Sequence, residues 1–98
     1  MKCKTYKFAK SCLSSRPYGA SIRREWVSML EAGNCILVDC SEVDSISDSF
    51  ADELFGILSV ELTPETLCEA VKLSNISDSC LQTIAEAIQE RAGNLIAA

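Results

Sequence analysis

Five residues, Cys35 to Asp39 (CILVD), do most to limit what this chain can fold into. They form a continuous apolar run closed by an acid, the pattern of a strand buried on both faces at the centre of a parallel sheet. Such a strand needs neighbours, and crossover helices to reach them. The flanking sequence supplies both. Upstream, Cys3 to Ala9 alternates, with Tyr6 and Phe8 opposed to Thr5, Lys7 and Ala9, the period of a half-buried strand. From Ser21 the period lengthens, and Ile22, Trp26, Met29 and Leu30 recur at helical spacing. Ser21 is a candidate N-cap for this helix and Gly33-Asn34 a stop. The stretch between, SCLSSRPYGAS, carries serines, Pro17 and Gly19 and reads as a loop. Trp26, the only tryptophan, falls on the inner face of the helix and is expected to be buried.

Downstream, CSEVDSISD reads as a turn. Phe50, Leu54, Ile57 or Leu58, and Leu62 then repeat with a 3.6 period, so a second helix is expected to begin near Ser49 or Phe50. Gly56 inside that pattern costs ~1 kcal/mol relative to Ala, which points to close approach of another backbone or to loose packing. Thr63 is a candidate N-cap, with Pro64 at the first position of a short helical turn through Cys68. Ala70 to Asn75 sets Val71 and Leu73 against Lys72 and Ser74, a more exposed strand. A third helix places Leu81, Ile84, Ala85, Ile88 and Ala92 along one face, capped by Ser77 or Asp78. The order β-α-β-α-β-α predicts a compact α/β domain, a small mixed or mostly parallel sheet packed by amphipathic helices. Ninety-eight residues suit one domain, residues 1–98, since a typical domain holds about 100–150.

Several function classes are disfavoured by composition. No apolar run approaches the ~20 residues of a membrane span, and MKCKTYKFAK lacks the apolar core of a secretory signal, so the default expectation is a cytoplasmic protein off the membrane. A net charge of −5 argues against nucleic acid, which calls for clustered Lys and Arg. Six cysteines are present and no histidine; no cysteine pair has C-x-x-C spacing. A Cys/His zinc site is therefore excluded, and no metal is expected. The thiols are expected to be reduced packing residues. There is no nucleophile elbow, P-loop or glycine-rich dinucleotide motif, and no His to activate a nucleophile. No catalytic residue and no cofactor is expected.

The stretch DSISDSFADELFG, Asp44 to Gly56, is the densest in polar chemistry. Ser49 precedes the apolar-periodic run with Asp52 three residues on, an arrangement like a capping box. A serine N-cap contributes ~1 kcal/mol, and Asp48, Asp52 and Glu53 would favour the positive end of the helix dipole. Capping is the commoner use of such a serine. The same geometry would offer free N–H groups to a phosphate on Ser49, although the three acids would repel its charge of about −1.5 to −2. Arg16 and Gly19, close to the first helix start, form a second candidate for anion binding.

The octapeptide SFADELFG, Ser49 to Gly56, resembles the signature of a STAS-like domain family of unassigned function. VDCSEVDSIS before it, RPYGASIRREW and VKLSN extend the resemblance over most of residues 16–90. The wider STAS family includes bacterial antagonists of anti-sigma factors. The resemblance implies a non-enzymatic regulatory module that docks a protein partner, such as a kinase-like ATP-binding protein. Its docking face would be the loop and start of the second helix, with Asp44, Ser47, Asp48, Ser49, Asp52 and Glu53. It also places Ser49 where the wider family carries a phosphorylated serine, with Phe50 in place of the glycine that follows there. STAS domains start with two strands, whereas one is visible here before the first helix. The competing class is a small-ligand or anion sensor using the Arg16–Gly19 loop.

Overall fold

In the computed structural model the chain runs through β1 (Lys2–Lys7), β2 (Cys12–Leu13), α1 (Arg16–Glu31), β3 (Asn34–Asp39) and β4 (Ser45–Ile46). It continues through α2 (Asp48–Ala51), a π-helical turn (Asp52–Gly56), α3 (Ile57–Leu62), α4 (Pro64–Ala70), β5 (Val71–Ser74) and α5 (Asp78–Ala97). The structure describes residues 2–97, and side chains from residue 2 to residue 92. The expected α/β architecture is present. CILVD lies in β3, the centre of a three-stranded sheet of order β1-β3-β5 with parallel pairing on both sides. Helices and their connections span the intervals between these strands, as parallel neighbours require.

Burial on both faces of β3 is not observed. Ile36 and Val38 are fully buried beneath the helices, whereas Leu37, pointing the other way, is 42% exposed. Its register partners Thr5 and Lys72 are exposed with it. The helices pack on one face, so the alternate positions of β3 have no layer over them. Cys35 escapes this exposure because it is bonded to Cys3, its direct partner across β1 and β3, with Cα atoms 4.5 Å apart. The expectation of reduced thiols is thus corrected at this pair. The two lie 32 residues apart in sequence, so only strand register brings them together.

The loop expected over SCLSSRPYGAS is also corrected. Cys12 and Leu13 form β2, which pairs in parallel with Ser45 and Ile46 of β4; a second strand does precede the first helix. α1 then starts at Arg16, five residues before the anticipated Ser21. Ser15 is its N-cap, its hydroxyl accepting from the Tyr18 N–H at 3.4 Å. Pro17 sits in the first turn, where a missing N–H costs nothing. Thr63 caps α4 as expected, accepting from the Thr66 N–H at 3.2 Å. Ser77 serves α5, accepting from the Cys80 N–H at 3.2 Å. Among the described side chains of α5 the buried residues are Cys80, Ile84 and Ala87, while Leu81 stays 45% exposed. Part of the apolar face expected there therefore borders solvent.

Trp26 is fully buried, as its spacing implied. Tyr6 and Phe55 meet its ring edge-on, with centroids 5.6 and 5.7 Å away, and Phe8 lies tilted at 6.0 Å. Burial in this cluster, with Glu25 and Tyr18 nearby, pushes the Tyr6 phenol up to about 12. The Trp26 indole N–H has no acceptor among the described residues. Trp26→Ala should therefore cost ~3–5 kcal/mol in chemical denaturation. Trp26→Phe, which keeps an aromatic ring and removes the unpaired donor, should cost far less; a loss as large as that of Ala would show that the N–H does have a partner.

Four cysteines are free: Cys12 and Cys68 exposed, Cys40 and Cys80 buried. Burial, then the charges of Asp39 and Cys80, push the Cys40 thiol up to about 11, and alkylation follows the thiolate. Unreduced protein should accordingly label fast at Cys12 and Cys68 and slowest at Cys40, with Cys3 and Cys35 labelled only after reduction. Labelling of Cys3 before reduction would contradict the observed pairing.

Candidate functional site

The octapeptide Ser49–Gly56 occupies α2 and the π-turn, between α1 on one side and α5 on the other. Phe50, Ala51 and Leu54 are fully buried and Phe55 almost so. A π-turn carries one more residue than an α-turn and leaves a carbonyl without its usual partner. The buried Ser59 hydroxyl donates to the Gly56 carbonyl at 2.6 Å and supplies one bond in this region.

The helix starts one residue before Ser49, at Asp48. Pairing of β4 with β2, extended by the Ser47 N–H donating to the Leu13 carbonyl at 2.9 Å, holds the chain extended as far as Ser47. The Ser47 hydroxyl then accepts from the Phe50 N–H at 3.1 Å. Ser47, not Ser49, is the N-cap. This corrects the capping role expected for Ser49, which instead lies exposed as the second residue of α2. Asp48 and Asp44 are exposed as well.

Asp52 and Glu53 face inward to arginines. The Arg91 guanidinium of α5 donates to both Asp52 oxygens, from Nε at 2.7 Å and from Nη2 at 2.8 Å, a bidentate pair. Arg16 of α1 donates to Asp52 at 2.8 Å and to Glu53 at 3.4 Å. Arg23 donates to the Glu53 carboxylate at 2.6 Å and also to the Glu53 carbonyl. The Arg91 and Arg16 hydrogen bonds hold the Asp52 carboxyl well below the usual carboxylate range, and the Arg23 hydrogen bond lowers Glu53. Arg16 and Arg91 are correspondingly raised, each first by its bond to Asp52.

Two glycines let the three helices close on these pairs. A Cβ on Gly19 would meet the Phe50 carbonyl oxygen and the Glu53 Cβ, each at 3.2 Å. One on Gly56 would sit 2.8 Å from Asp52 Oδ1, 3.2 Å from Arg91 Cγ and 3.4 Å from the Ala87 carbonyl oxygen. Of the two readings open for Gly56, close approach is the one observed. Gly19 is buried against α2, so of the pair named for anion binding only Arg16 reaches solvent.

A cleft of about 340 Å³ opens over the pairs, lined by Arg16, Asp48, Ser49, Asp52, Glu90 and Arg91. The structure thus joins four sequence candidates, Arg16, Asp48, Ser49 and Asp52, in one place. Arg23 and Arg91 were missed by the sequence reading. Arg23 stood among the polar positions of α1, and no local pattern ties Arg91 to an acid 39 residues away. Asp39, by contrast, binds the Ser41 N–H at 3.0 Å and the Asn75 amide at 3.1 Å, apart from the cleft.

The pH dependence follows from these directions. Groups with depressed folded values stabilise the protein above their unfolded values, near 4, and lose that contribution as pH falls through the folded ones. Asp52→Asn should cost ~1–2 kcal/mol at neutral pH and flatten the acid limb of the stability curve; an unchanged acid limb would contradict the assignment. Gly56→Ala should destabilise by ~1–3 kcal/mol although alanine favours helix, and a stabilised variant would show the interface to be loose.

A family model described as STAS-like domain of unknown function (DUF4325) matches residues 18–80. That span holds α1 after its first two residues, the whole octapeptide and β5. It leaves out Arg16 and Arg91. No curated protein and no solved structure matches significantly. The match covers well over half of the chain, which therefore belongs to the family of STAS-like domains of unknown function.

Proposed function

We propose that the chain is a non-enzymatic, regulatory protein-interaction module whose docking face is the exposed lip at the start of α2. Asp44, Asp48 and Ser49 form the face, and Ser47 shapes it by capping the helix. Asp52 and Glu53 serve it from beneath, by fixing the arginines and the helix. A signalling protein with a kinase-like ATP-binding domain is the partner the STAS resemblance favours. The observation that carries this reading is the position of Ser49, exposed, free of the capping task and over a cleft lined by two guanidinium groups. A serine so placed is open to a kinase. A phosphate there would compete with Asp52 for Arg16 and Arg91, altering both the charge and the shape of the lip. The absence of histidine from the chain supports a binding role over acid–base catalysis.

Because Ser47 carries the cap, Ser47→Ala should lose ~1 kcal/mol of stability while Ser49→Ala stays close to the parent. Affinity purification from the native host tests docking. The parent and Ser49→Asn should both enrich a kinase-like ATP-binding protein, and Ser49→Asp and Asp48→Lys should lose it while remaining folded. The reading fails if all four recover the same proteins.

A further inference from the structure

The sheet has two outer strands, and their free edges differ. β1 carries Lys2, Lys4 and Lys7, all exposed, and lysines along an edge discourage a further strand from pairing. β5 carries one lysine, Lys72, and pairs only with β3 among the described residues. Its inward residues Val71 and Leu73 border an apolar groove of about 200 Å³ floored by Phe55 and walled by Leu81, Ala85 and Ile88 of α5. A strand edge guarded by a single lysine, beside an apolar groove, is a surface open to another strand and something apolar.

We infer that this surface joins two copies of the chain, with β5 pairing antiparallel to its counterpart and α5 packing on its counterpart about a two-fold axis. Three observations favour a second copy over an unrelated peptide. Leu81, Ala85, Ile88 and Ala92 follow one another at intervals of four, three and four residues, the spacing of a two-helix seam. Exposed Leu81 and small Ala85 lie on one face, a protrusion beside a recess, as a self-complementary interface needs.

The second observation is charge. Between Leu81 and Ala92 the seam and its flank, Gln82 and Gln89, carry no charge, while Glu86 and Glu90 project elsewhere around the helix. In a chain of net charge −5, identical surfaces meet without repulsion only through such a neutral strip. The third is register. Antiparallel pairing that keeps Val71 and Leu73 on the groove side allows Leu73 to face its own copy, with Lys72 opposite Ser74 of the second chain. The alternative register sets Lys72 against Lys72, a like-charge pair that is unfavourable. The inference stands apart from the Ser49 lip and does not depend on it.

Light scattering coupled to size exclusion, across the micromolar range, should report twice the chain mass of 10.7 kDa. Leu81→Lys and Ala85→Glu, both at exposed positions, should halve that mass with the circular dichroism spectrum unchanged. Glu86→Ala, off the seam, should leave it doubled. Amide exchange in β5 should slow as parent concentration rises, and not in Ala85→Glu. A monomeric parent would overturn the inference and leave a strand from another protein as the occupant. A dimer that survives both seam substitutions would overturn it equally.

Discussion

Asp52 is where α1, the π-turn and α5 are tied together. One carboxylate, 22% exposed, takes a bidentate pair from Arg91 of α5 and a further bond from Arg16 of α1. The next residue, Glu53, adds Arg23. Both acids lie in the π-turn, and the helices can come near enough for these pairs because Gly19 and Gly56 have no side chains. Buried Phe50, Leu54 and Phe55 fill the space beneath. The ion pairs are partly exposed, so their worth lies more in fixing geometry than in raw energy. What they fix is the start of α2, and with it the lip that carries Ser49.

This division of labour gives the octapeptide a physical meaning. Seven of its eight residues are used in packing, ion pairing or close approach; Ser49 alone faces solvent without such a task. A sequence signature of this kind is first a record of how α1, α2 and α5 meet. In the proposed reading, its functional content is concentrated at its first residue and in the acids upstream of it. Arg16 and Arg91 line the same cleft as Ser49, and in that reading a charge added at Ser49 would alter the competition for Asp52.

Much of this was legible from local pattern. The central parallel strand, the burial of Trp26 and the Thr63 cap follow from periodicity and from residues with restricted backbone preferences; Gly56 left close approach and loose packing equally open. Five features were hidden for physical reasons. Helix α1 begins early because Pro17 and Gly19, ordinary turn residues, are equally at home in a first turn when the helix must pass close to another. The cap moved from Ser49 to Ser47 because a two-residue strand pair, β2 with β4, sets where the extended chain ends, and such short pairings leave no periodic trace. The Cys3–Cys35 bond and the Asp52–Arg91 pair depend on register and packing across 32 and 39 residues. The open outer face of β3 escaped for a related reason: an apolar run shows what a strand could bury, not which layers are present to cover it.

The central claim is that the Asp52–Arg91 contact, rather than either residue alone, holds α5 against the π-turn. A double-mutant cycle measures that contact directly: the parent, Asp52→Ala, Arg91→Ala and the double variant, unfolded by denaturant at neutral pH and moderate salt. The account predicts a coupling of ~1–2 kcal/mol, as for a bidentate pair that is only partly shielded from water. Additive losses, with no coupling beyond error, would contradict it.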